Sequence, residues 1–136
     1  MNRVVADTDV VPALLKNRPI GKRYDPELAA RVALVSFMTA AEVERWAIQY
    51  RWGERRVHWL HLYLRRFTVV PSSSDLCHKR AEVMVAAQAV GRRIECADAW
   101  IAATALLYDA PLVTHNRSDY LRVPGLSMIA HGEQPA

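Results

Sequence analysis

Lysine is scarce in this basic chain. Its 136 residues carry 18 basic side chains against 14 acidic ones, a net charge of +4, yet only Lys16, Lys22 and Lys79 are lysines and the other 15 are Arg. Chemistry that needs a lysine nucleophile or general acid therefore has few candidates. Arg offers a forked set of donors that suits phosphate, and a basic excess made of Arg is a reasonable footprint for a polyanion. Cysteine is nearly absent. Cys77 and Cys96 have neither CxxC spacing nor a zinc pattern around them, which excludes a metal ribbon and a disulfide framework. Both are read as reduced, partly buried thiols of a cytoplasmic protein. Uncharged runs are short: Val32–Ala41 and Ala99–Tyr108 are far below the length that spans a bilayer. No basic segment followed by an apolar one opens the chain, so the expectation is an unexported protein. Repeats, low-complexity stretches and linker-like runs are also missing. With 51% hydrophobic residues, the chain is expected to be one domain, residues 1–136, with a sizeable core.

What is present is a series of short apolar runs without alternation, separated by helical patterns. Residues 3–6, 32–37, 67–70, 112–114 and 126–130 read as strands. Residues 10–16, a start at Asp25-Pro26-Glu27, and residues 40–51, 54–66, 72–91 and 98–109 read as helices, with Ser72 or Ser73 as a cap and Gly91 as a stop. Such a pattern predicts a parallel sheet covered on both faces, an α/β fold in three α/β/α layers.

That architecture locates four acids. Asp7 closes the first strand, Glu42 and Asp119 follow later strands, and Asp98 opens the helix that returns to the 112–114 strand. All four are predicted at the carboxyl edge of the sheet, where open α/β folds bind ligands. Converging carboxylates make a hard-cation site for Mg²⁺ or Mn²⁺, of the kind that hydrolyses phosphodiesters. Each acid also has a structural reading. Thr39-Ala40-Ala41-Glu42 fits a capping box, Asp98 fits a helix cap, and Asp119 fits a loop turn. Their convergence favours the functional reading.

The segments Val5-Ala6-Asp7-Thr8-Asp9, Thr39-Ala40-Ala41-Glu42-Val43, Ala97-Asp98-Ala99-Trp100-Ile101-Ala102-Ala103-Thr104-Ala105, Leu112-Val113-Thr114-His115-Asn116-Arg117-Ser118-Asp119-Tyr120 and Val123-Pro124-Gly125-Leu126 together resemble the PIN-domain ribonucleases, specifically the VapC-type toxins of bacterial toxin–antitoxin pairs. The ordered set extends over nearly the whole chain. The resemblance implies a metal-dependent endoribonuclease that arrests growth and is neutralised by a small VapB-type antitoxin. It implies that Asp7 and Asp98 are the principal metal ligands, that Glu42 and Asp119 complete the acidic cluster, and that Thr8, Thr114 and Asn116 shape the pocket through hydrogen bonds. Members of this group commonly pair, so a homodimer is expected. Two positions depart from the commonest pattern: Asp9 often is Asn or Ser, and Tyr120 often is Phe.

Arg45, Arg51, Arg55, Arg56, Arg65 and Arg66 are interleaved with Trp46, Trp52, Trp59 and Tyr63. This stretch fits either helix packing and protein contact or an RNA platform, with Arg55 and Arg56, together with Arg117 near the acids, as candidate RNA contacts. His58, His61 and His78 form no ligand pattern. His115 lies near the site, and Trp100 reads as core. Two other functions remain open. Asp7-Thr8-Asp9-Val10-Val11 resembles the opening motif of an Mg²⁺-dependent phosphotransfer family, whose catalytic lysine is hard to supply here. A non-catalytic PIN-like binding module is the other, against which the presence of all four acids argues.

Overall fold

In the computed structural model, residues 2–11 and 26–130 are described. Most of the helix expected over 10–16 lies outside them, as does the proposed cap Asp25; Val10 and Val11 are helical, and residues 26–29 form a helical turn. The strands are β1 (Arg3–Ala6), β2 (Val32–Ser36), β3 (Thr68–Val70), β4 (Leu112–Val113) and β5 (Met128–Ile129). The helices are α1 (Phe37–Gln49), α2 (Glu54–Leu64), α3 (Ser74–Ala89) and α4 (Cys96–Leu107), with a short 3₁₀ helix at Arg117–Tyr120.

The sheet order is β3-β2-β1-β4-β5, with every neighbouring pair parallel. From β1 the chain builds outward through β2 to β3, then returns to add β4 and β5 on the other side. The order therefore reverses between β1 and β4, and the crevice beyond their carboxyl ends is a switch point.

Both faces of the sheet are covered, which is why the strands read as unbroken apolar runs. Val5, Leu34 and Leu112 pack into one core with Leu76 and Val83 of α3 and Ile101 and Ala102 of α4. Val4, Ala6, Ala33, Val35 and Val113 pack into the other with Val43 and Ala47 of α1 and Leu60 of α2. The period-two pleat sends successive residues to opposite cores. Helix α4 is buried along most of its length, Ala99 and Ile101–Ala105 included. Ser73 caps α3 through a bond from the Leu76 N–H.

Three local expectations are corrected. Helix α1 starts at Phe37, capped by Ser36, whose hydroxyl accepts from the Met38 N–H at 3.1 Å. Thr39 is therefore a buried residue inside the helix, and Thr39–Glu42 is not a capping box. Helix α4 begins at Cys96 with Glu95 at the cap position, which puts Asp98 within the first turn rather than at the cap. Cys77 and Cys96 are both free and exposed, not partly buried.

Candidate active site

Asp7 follows the last residue of β1, and its amide donates to Val113 O at 2.9 Å, tying it to the end of β4. Its side chain is buried, 5% exposed, and fully engaged. Oδ1 accepts from the Thr8 N–H at 2.7 Å and from the Tyr120 hydroxyl at 3.0 Å, and Oδ2 accepts from the Thr114 hydroxyl at 2.7 Å. Thr114, just past β4, in turn accepts from the Asn116 N–H at 3.0 Å. The Thr8 hydroxyl meets that of Thr39, on α1, at 2.9 Å. Thr8, Thr114 and Asn116 thus form one bonded chain around Asp7.

Asp98 reaches the same point from α4. The Tyr120 hydroxyl lies 3.1 Å from Asp98 Oδ1, so one phenol bridges the two aspartates. A phenol carries one proton, so at any instant it donates to only one of them. Burial, followed by the Asp7 and Asp98 charges, pushes the Tyr120 phenol far up, and it stays protonated as a donor.

The carboxyls respond to their crowding. Burial, then the charge of Asp9, pushes Asp7 up to about 7, against the opposing bonds from Thr114, Tyr120 and Thr8. Burial, then the Asp7 charge, pushes Asp98 up to about 6. Burial chiefly pushes Asp9 up to about 6, with Asp119 and Asp98 adding to it. Asp9 accepts a 3.4 Å bond from the His115 N–H on Oδ1, while its buried Oδ2 has no hydrogen-bond partner among the described residues. Asp7, Asp9, Asp98 and Asp119 therefore share one electrostatic neighbourhood.

Asp119 sits exposed on the 3₁₀ helix beside Arg117. Glu42 lies one turn beyond Thr39 on the same side of α1, and its carboxylate pairs with Arg45 at 2.9 Å. Its charge is not among those that shift the aspartates.

Arg55 is exposed on α2, and Arg56 lies over the Trp52 ring at 4.0 Å. Trp59 stacks on Tyr63, which Arg66 also covers. Trp100 packs edge-on against Phe37 beside the core. Lys79 pairs with Glu82 on α3; Lys16 and Lys22 lie outside the described residues.

Tyr120 and Asp9 are not among the ligands that the sequence implies. The signal for Tyr120 was present, since a phenol where Phe is common adds a single hydroxyl next to an acid. Asp9 stands two residues from Asp7, and only the fold shows that it is half-buried with one carboxylate oxygen enclosed.

A PIN-domain family model matches residues 4–126. The chain belongs to the PIN-domain family. It is 30% identical over 122 residues to Ribonuclease VapC1 of Haemophilus influenzae, covering 88% of this chain and 91% of that protein. The structure of VapBC-1 from nontypeable Haemophilus influenzae superposes with a TM-score of 0.81 at 28% identity, covering 94% of this chain and 97% of that one. VapBC2 from Rickettsia felis, bound to a DNA fragment from its promoter, gives 0.84 at 20% identity, covering 95% and 98%, a likeness of fold. The three-layer α/β architecture is thus that of this PIN-domain group.

Among the described residues, no three His, Cys, Asp or Glu side chains already stand together as a coordination group. The chemistry of the donors nevertheless fits a hard divalent cation. The site is made of carboxylate and hydroxyl oxygen, it crowds like charges, and it holds one buried carboxylate oxygen without a donor.

Proposed function

We propose that this chain is an Mg²⁺- or Mn²⁺-dependent endoribonuclease, the toxin half of a type II toxin–antitoxin pair. The observation that carries the reading is the Asp7–Tyr120–Asp98 bridge at the switch point of the sheet. Two acids from distant parts of the chain are held together there at an electrostatic cost that a cation would relieve. The family match and the ribonuclease name of the Haemophilus relative support it.

Asp7 and Asp98 would hold the cation, with Asp119 and Glu42 completing the acidic set. Asp9, through its unpartnered oxygen, is an additional donor. When bound, the cation supplies Lewis-acid activation of water and neutralises charge at the reacting phosphodiester. Thr114, Thr8 and Asn116 fix the direction of Asp7. Asp98 stands in the first turn of α4, and a bound cation would offset the burial and like charge that push its carboxyl up. Arg117, next to Asp119, stands at the rim where an RNA backbone would pass.

Several of the similar structures are toxin–antitoxin assemblies, which supports a small VapB-type antitoxin as the partner of this chain. Exposed Ile48, Tyr50, Trp59 and Leu62 on α1 and α2 offer apolar surface for that partner or for a homodimer. No helix among the described residues is long and apolar enough to cross a membrane.

The test is cleavage of a labelled RNA by purified protein. Mn²⁺ should support it, EDTA should abolish it, and sequencing the new ends after brief induction should reveal the target. Full activity in excess chelator would overturn the mechanism.

A further inference from the structure

Helix α3 ends in a turn that aims two arginines at the edge of the acid site. Val90 is the cap residue and Gly91 follows at φ +69°. The Gly91 N–H donates to Gln88 O at 2.9 Å and the Arg92 N–H to Ala87 O at 3.0 Å. These two bonds make a Schellman motif, which needs the left-handed residue that glycine supplies. The backbone direction at Arg92 is therefore fixed. The Arg92 guanidinium donates to Ser118 O at 3.1 Å, which ties this turn to the residue next to Asp119.

A groove of about 380 Å³ runs along this turn, lined by Met84, Gln88, Arg92, Arg93 and Ile94 among others. It continues into a narrower recess that Arg92 and Arg93 share with Asp119 and Arg122. Among the described residues, Arg93 and Arg122 make no ion pair or hydrogen bond. Three arginines thus line one small recess beside Asp119, an acid of the candidate site, and two of them also line the larger groove. By contrast, Arg56 and Arg66 of the aromatic stretch already cover their own rings.

We propose that Arg92, Arg93 and Arg122 form the phosphate-binding groove that leads a single-stranded RNA backbone to the acidic site. The inference rests on the ribonuclease reading and adds the substrate-positioning residues to it. A polyanion is the occupant that fits, because the Arg93 and Arg122 guanidinium groups make no pair among the described residues, guanidinium recognises phosphate oxygens, and the recess they line reaches Asp119. These residues position the chain; none is required to touch the reacting atoms.

The experiment measures salt-dependent binding of a fluorescein-labelled single-stranded RNA by anisotropy. All proteins carry Asp98→Asn and are held in EDTA, so that cleavage does not intervene. Three phosphate contacts on a single strand contribute about 2 to the slope of log affinity against log salt, or roughly a 20-fold loss over a fourfold rise in salt. Replacing Arg92, Arg93 and Arg122 by Gln should remove that dependence and weaken binding at low salt. The Arg93→Gln/Arg122→Gln pair keeps the Arg92 tether and should remove about two-thirds of it with an unchanged melting curve. Arg55→Gln/Arg56→Gln should leave the slope intact. The proposal is overturned if the groove variants keep the full slope, or if only the α2 variant loses it. It is equally overturned if the groove variants lose a protein partner while RNA binding is untouched. Cleavage of the same RNA by the unmutated protein in Mn²⁺ separates the two levels. Cleavage with an unchanged groove slope removes the groove alone, whereas neither cleavage nor binding removes the ribonuclease reading with it.

Discussion

Tyr120→Phe isolates one hydroxyl between two acids. The ring is buried, 1% exposed, in the core cluster with Val123 and α4, and Phe retains that packing. What disappears is the donor at 3.0 Å from Asp7 and 3.1 Å from Asp98. A hydrogen bond to an ionised group contributes about 1.5–3 kcal/mol, so the metal-free variant should be less stable by about that amount. For a domain of this size the melting temperature should fall by roughly 5–10 °C. The phenol acts as a weak stand-in for a cation, since its one positive hydrogen is shared in turn between two oxygens that otherwise repel. A cation bound between the same carboxylates would make it partly redundant. The stability gap should therefore narrow as Mn²⁺ is titrated in, and by linkage the variant should bind Mn²⁺ more tightly than the parent protein. Narrowing by about 1.4 kcal/mol corresponds to tenfold. Urea unfolding in EDTA and in millimolar Mn²⁺, with Mn²⁺ affinity from calorimetry, gives both numbers. An unchanged midpoint in EDTA, or a gap that Mn²⁺ leaves constant, would refute the reasoning.

The raised carboxyls make a pH prediction whose sign is fixed. With Asp7 near 7 and Asp9 and Asp98 near 6, the folded metal-free protein binds protons that the unfolded chain releases above the ordinary value of 3.8. Stability should consequently fall as pH rises from about 4 to about 7, and urea unfolding in EDTA should show a higher midpoint at pH 5 than at pH 7.5. Asp7→Asn and Asp98→Asn should each give a folded protein with at least a hundredfold less RNA cleavage, a loss of about 2.7 kcal/mol in transition-state stabilisation; wild-type rates from either would remove that residue from the site. Gly91→Ala places a side chain at φ +69° with nothing within 4 Å, so it should cost about 1–2 kcal/mol through backbone strain alone, read from its melting curve. Light scattering at micromolar concentration should give a dimer, and a monomer with undiminished cleavage would reject an obligate one.

The layers of this fold were legible because parallel strands buried on both faces leave unbroken apolar runs. The start of α1 was not legible. Ser36 is both the last residue of β2 and the cap of the helix, so strand passes into helix without a loop and the apolar run hides the boundary. The sequence offers Thr39 for that role because Glu42 stands three residues on, but Glu42 pairs with Arg45. For the site, strand ends and helix polarity placed Asp7 and Asp98 at one edge from spacing alone. The Tyr120 bridge spans 113 residues to Asp7 and 22 to Asp98, and no local pattern encodes such a bond. The Arg92–Ser118 tether was equally out of reach, although Gly91 was readable as a helix stop.

The two elements that carry Asp7 and Asp98 are the central strand and the helix buried between the sheet and α3. Amides in such elements exchange with solvent last, when the whole domain opens. Disarming the site by local loosening would therefore mean unfolding the protein. Under the toxin function proposed above, silencing the chain while keeping it in reserve would fall to occlusion. Control would then come from a cover over the crevice, with a strength set by how slowly that cover leaves.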